Sequence, residues 1–137
     1  MTLKSCLAAT GFVLGLSLGT AQAAQMECPA KTMQSEDVVA SLNAAKGCDA
    51  AMKVFEACQY GASGDTELGE VVQKKCEADF LDKANASKKQ AYKREIGVCT
   101  NKYRNKSGSM YVSFAAFCRA EVAQRYAKEM RKAAGAR

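Results

Sequence analysis

The sequence predicts an all-α fold, a small disulfide-stapled bundle of four to five helices, and three observations carry that prediction. Apolar residues recur every three or four positions, as in Leu68, Val72, Cys76 and Phe80, the period of helices with one face on a core. No segment alternates apolar and polar residues in the manner of a half-buried strand. A cysteine falls in the apolar stripe of each long helix (Cys76, Cys99 and Cys118), so covalent links between packed faces are expected.

The elements follow in order. Ser35 is placed to cap a short helix running to Lys46, with Glu36 and Asp37 in its first turn, Val38, Val39 and Leu42 as its apolar side and Gly47 as its stop. A second helix is expected from about Asp49 to Tyr60, with Met52 and Phe55 inward, and the Gly61-Ala62-Ser63-Gly64 cluster breaks it. Asp65 is placed to cap a longer helix reaching about Ala84. Ser87 starts the next, carrying Tyr92, Ile96, Cys99 and Tyr103 inward until Asn105-Lys106-Ser107-Gly108 ends it. The last begins near Ser109, with Phe114, Cys118, Val122, Tyr126 and Met130 expected to face the core and Phe117 beside them.

Residues 1–23 read as a cleaved secretory signal. Lys4 provides the charged start, Cys6 to Leu18 is an uncharged, mostly apolar run, and Ala21-Gln22-Ala23 is a small-x-small cleavage site. The run falls short of the roughly 20 residues needed to span a bilayer, so no transmembrane anchor is expected after cleavage. The remaining 24–137 form a single helical domain, periplasmic or secreted.

Maturation removes Cys6 and leaves Cys28, Cys48, Cys58, Cys76, Cys99 and Cys118. An even six in an exported chain reads as three disulfides, in any of about fifteen connectivities. No CxxC knuckle is present, so these thiols are not expected to hold a metal, nor to act as nucleophiles once bridged. If Cys48 and Cys58 share one continuous helix, ten rises of about 1.5 Å hold them too far apart to pair with each other.

Several function classes are excluded or disfavoured. The 137 residues contain no His, which removes the commonest general base and the Ser-His and Cys-His nucleophile pairs. No phosphate loop, dinucleotide fingerprint, HExxH or GxSxG motif occurs. No catalytic activity, no cofactor and no nucleic-acid partner are expected. Charge is the most uneven property: residues 24–85 carry six Lys against eleven Asp/Glu, a net of −5, whereas 86–137 carry thirteen Lys/Arg against three Glu, a net of +10. Either the halves pack together and their fields partly cancel, or the basic helices, with Lys88, Lys89, Lys93 and Arg94 at their start, bind anionic envelope polymer, lipid or unfolded clients.

The stretch from Cys48 to Met130 resembles the LprI-type lysozyme inhibitor family of small exported helical proteins. The likeness lies in Cys48 and Cys58 bracketing a short segment with Glu56, in Glu67-Leu68 opening a long helix, in Gln90-Ala91-Tyr92-Lys93-Arg94-Glu95 leading to Cys99, and in Cys118 followed by Arg125. Tyr92 stands where the family has an aromatic residue, usually Trp. The resemblance implies a protein that inhibits lysozyme by an interface rather than by chemistry. It also implies that Cys48, Cys58, Cys99 and Cys118 are the family's four cysteines, leaving Cys28 and Cys76 as an additional pair. Lysozymes of the animal type are generally basic, so such a contact would use the acidic half, with Glu56, Asp65, Glu67 and Glu70 around the Gly61 to Gly64 loop.

Overall fold

In the computed structural model residues 26–135 are described, and among them the chain is all helical. The expected signal peptide, 1–23, lies outside the described residues. Five α-helices follow an extended N-terminal segment: α1 (Ser35–Ala44), α2 (Cys48–Cys58), α3 (Asp65–Phe80), α4 (Ala86–Tyr103) and α5 (Ser109–Gly135), with a 3-10 turn at Leu81–Lys83 between α3 and α4. Among the described residues no helix is long and apolar enough to cross a membrane.

The helix ends show where local chemistry departs from the expected caps. Ser35 is the first residue of α1 rather than its cap, and its hydroxyl donates to Glu67 Oε2 on α3 at 2.6 Å. The end of α1 is closed from another helix: Lys75 Nζ donates to the Asn43 and Ala45 carbonyls at 2.9 and 2.8 Å, satisfying acceptors that a helix C-terminus leaves open. The third helix stops four residues before the expected Ala84, as Phe80 leaves helical geometry at φ −137°. Asn85 then caps α4, its side-chain oxygen accepting from the Lys88 N–H at 2.8 Å, so the helix starts at Ala86 and not at Ser87.

The longest helix, α5, spans about 40 Å at 1.5 Å per residue and packs chiefly along α3, with α4 on its other flank. Its buried stripe corrects the expected one in part: Tyr126 is buried as expected, but the rest of the face is different. Ala116, Ala120, Ala123 and Ala127 are fully buried, while Phe114 is 42% exposed and Cys118, Val122 and Met130 are only half-buried. Small side chains win this face because α3 comes so close. A Cβ added at Gly69 would lie 3.0 Å from the Ala116 Cβ and 3.1 Å from its carbonyl oxygen. Larger side chains fill the flanks, where Phe55 stacks on Phe117 with centroids 4.0 Å apart and Phe80, Tyr92 and Tyr126 meet at 5.1 to 5.7 Å.

Three disulfides staple the bundle: Cys28–Cys58, Cys48–Cys76 and Cys99–Cys118. The Cys28–Cys76 pair implied by the family resemblance does not form. The N-terminal segment crosses the C-terminal end of α2, bringing Cys28 to Cys58, while the opening residue of α2 faces α3 and gives Cys48 to Cys76. Cys48 and Cys58, at opposite ends of one helix, each take another partner, as the helix length requires. The bridges point to an oxidising, extracellular compartment.

Candidate functional site

One end of the bundle gathers the start of α3, the end of α4, the start of α5 and the 59–64 loop. Asp65 organises that end from within. Its carboxylate accepts from the backbone N–H groups of Tyr60, Gly61 and Ala62 at 2.8, 2.9 and 3.3 Å and from the Ser113 hydroxyl of α5 at 2.6 Å. The side chain is 0% exposed, so the expectation that Asp65 presents a carboxylate to a partner is corrected: its oxygens are occupied by donors of this chain. Gly64 lies against the Tyr60 ring, where a Cβ would meet Cδ2 at 2.8 Å.

The other acids of that group divide. Glu67 accepts from Ser35, and Glu56 and Glu70 are exposed on α2 and α3. The Tyr60 phenol is pushed up by burial and by the charges of Asp65, Glu36 and Glu67, which marks this side of the bundle end as negative.

At the same bundle end, between α3, α4 and α5, opens a cleft of about 260 Å³. Arg104, Lys106 and Arg119 line it together with Tyr103, Tyr111 and Thr66. No Asp or Glu is among its lining residues. The ion pairs of the described residues use Lys88, Arg125, Lys128 and Arg131 as their cations, so the three cleft cations have no carboxylate partner among the described residues. Arg104 donates to the Asn101 side-chain oxygen, which holds the guanidinium at the end of α4. Tyr103, Tyr111 and Phe114 form an aromatic cluster with centroids 5.9 to 6.3 Å apart, and Lys102 Nζ sits 5.3 Å from the Tyr103 ring centre.

The basic residues expected from the sequence to bind anions, Lys88, Lys89, Lys93 and Arg94, lie elsewhere on α4. Lys88 is engaged, 3.1 Å from Glu129 and 5.7 Å from the Tyr126 ring centre, and that contact with Lys88, ahead of the neighbouring Arg125, holds the Glu129 carboxyl below the usual range against the opposing effect of burial. Lys93 and Arg94 are exposed on α4 and Lys89 is half-buried there; none of them lines the cleft. Part of the charge asymmetry is internal, since Arg131 reaches Asp49 and Asp79, the latter at 3.1 Å, and Lys128 lies 3.5 Å from Asp49. A usable signal for the cleft was present in the chain: residues 96–120 contain Lys102, Arg104, Lys106 and Arg119 and no acid.

All six cysteines of the described residues are bridged, and no group of three Cys, Asp or Glu among those residues is placed to hold a metal ion. No family model matches the chain, and no curated protein or solved structure matches it at a significant level.

Proposed function

We propose that this is an exported, non-catalytic binding protein, periplasmic or secreted, whose cationic cleft engages an anionic polymer of the cell envelope. The carrying observation is the convergence of Arg104, Lys106 and Arg119 on one cleft with no acid to neutralise them. Uncompensated cations in a concave site focus potential outward and favour anions. The lack of any His and the saturation of the buried Asp65 by its own chain support a binding role over catalysis.

Retention on immobilised heparin across a salt series tests this. The oxidised mature protein is expected to bind, and the triple variant Arg104→Gln, Lys106→Gln, Arg119→Gln to elute at lower salt with a shallower salt dependence. A Lys88→Gln, Lys89→Gln, Lys93→Gln, Arg94→Gln variant is expected to lose less, because Lys88 already faces Glu129. Unchanged elution of the cleft variant rejects the proposal.

A second reading, lysozyme inhibition, draws support from exposed Glu56 and Glu70 flanking the 59–64 loop along the chain, and from Glu36 and Glu67 close to Tyr60 on the same side. Its contact would use Glu56, Glu67 and Glu70 without Asp65. A lysis assay with several lysozyme types at micromolar excess of the oxidised protein decides it: inhibition lost on Glu67→Lys and Glu70→Lys supports the reading, and no inhibition rejects it.

A further inference from the structure

Resting on the polymer-binding proposal, we infer that the cleft receives a single acidic sugar residue, a pyranose ring bearing one carboxylate or phosphate. Size sets the first limit: about 260 Å³ lies below the roughly 300–1,000 Å³ of pockets that bury drug-sized ligands, which leaves room for one ring and one charged substituent. Charge sets the second. Two guanidiniums and one ammonium surround the space, and the planar Arg fork matches a carboxylate or phosphate in a bidentate manner.

Hydroxyl chemistry distinguishes a sugar acid from a bare anion. Four of the lining residues, Thr66, Thr100, Tyr103 and Tyr111, carry hydroxyls, a composition suited to a polyol. The Thr100 hydroxyl already donates to the Ile96 carbonyl at 3.3 Å, so toward a ligand it accepts, and a sugar ring offers several hydroxyls that can donate to it. The Tyr103 and Tyr111 rings supply the apolar wall on which a pyranose face packs, and Val112 and Ala115 extend it. Arg119, half-buried on α5 beside the Cys99–Cys118 bridge, is the residue that receives the acid group, with Arg104 and Lys106 closing over it from the end of α4 and its loop.

Titration calorimetry of the oxidised protein at low salt, with glucuronic acid, glucose 6-phosphate, glucose and inorganic phosphate, tests the inference. At least one of the two acidic sugars is expected to bind about tenfold or more tightly than both glucose and inorganic phosphate, and its identity tells a carboxylate source from a phosphate source. Arg119→Gln is expected to abolish that preference, and Lys106→Gln, in the exposed loop, to weaken it without disturbing the helical signal. Inorganic phosphate or glucose binding as tightly as the acidic sugars overturns the inference, as does retention of full affinity in Lys106→Gln. Heparin retention of the wild type with no binding of either acidic sugar overturns the sugar site and leaves the polymer proposal standing; loss of both removes both.

Discussion

The Ser113 hydroxyl on α5 donates to Asp65 Oδ2 at the first turn of α3 across 2.6 Å, and both residues are buried. This contact joins two helices and a loop, because the same carboxylate takes three backbone N–H groups of the 60–62 turn. Asp65→Ala leaves the buried Ser113 hydroxyl and the part-buried N–H groups of the turn without this acceptor, and a loss of about 2–4 kcal/mol is expected in urea unfolding. Ser113→Ala removes one charge-assisted bond and is expected to cost about 1–2 kcal/mol. A stability change near zero for Asp65→Ala contradicts the assignment of this carboxylate as the organiser of the bundle end.

Gly69 is expected to resist the substitution that ordinarily helps a helix. Glycine to alanine in an exposed helix interior gains about 1 kcal/mol, but here the new methyl meets the Ala116 carbonyl at 3.1 Å, and backbone cannot step aside as a side chain can. Gly69→Ala is expected to lower the melting temperature, with an overpacking cost of about 1–3 kcal/mol exceeding the propensity gain. Gly69→Leu is expected to prevent the α3–α5 contact. A raised melting temperature for Gly69→Ala argues against the observed approach.

Alkaline pH is expected to loosen the aromatic core. Burial pushes the Tyr92 phenol far above its ordinary value near 10, aided by its hydrogen bond to Glu77 at 2.6 Å and by that charge, and Tyr126 is raised by burial and by Glu95. A group whose folded-state pKa exceeds its unfolded value contributes its full stabilisation below the unfolded value and loses it as pH climbs. Melting temperature should therefore fall as pH rises beyond about 10, and tyrosinate absorbance should lag behind that of the denatured chain. Glu77→Gln removes the opposing charge and is expected to shift part of the native titration toward lower pH.

Peptide mapping of unreduced protein is expected to recover Cys28–Cys58, Cys48–Cys76 and Cys99–Cys118, with no free thiol after removal of the segment that holds Cys6. Replacing Cys99 and Cys118 by Ser together is expected to cost about 3 kcal/mol for a loop of this length and to weaken ligand retention, since that bridge joins α4 to α5 beside the cleft. Recovery of Cys28 joined to Cys76 contradicts the observed arrangement.

The helices were legible in the chain because their signals are local: glycines at 47, 61 and 64, the four-residue recurrence from Leu68 to Phe80, and Gly108 before Ser109. The orientation of α5 was not. Periodicity favoured its large residues, Phe114 through Met130, as the buried face, whereas the deciding factor is how near α3 lies, a distance that only the pair Gly69 and Ala116 reports. Asp65 shows the same limit. A helix-start acid looks the same in sequence whether it faces water or gathers a preceding turn, and the choice depends on Ser113, 48 residues away. The cleft is only half legible: the acid-free run holding Arg104, Lys106 and Arg119 is local, but that these cations converge on one concave site depends on α4 folding back on α5.

The alanine face of α5 has a consequence for where that helix sits along its own axis. Methyl groups on a shallow glycine notch form a smooth rail, and a smooth rail resists a slip of one turn, about 5.4 Å, far less than interlocked large side chains would. Axial position is instead pinned by Ser113 on Asp65 at one end and by Arg131 between Asp49 and Asp79 at the other, with the Cys99–Cys118 bridge and the Phe55–Phe117 stack between them. Cutting one pin leaves the other as a pivot. Cutting both leaves the Cys99–Cys118 bridge as the pivot, so the register of Arg119 against Thr66 on the facing wall then rests on a covalent bond that reduction can open.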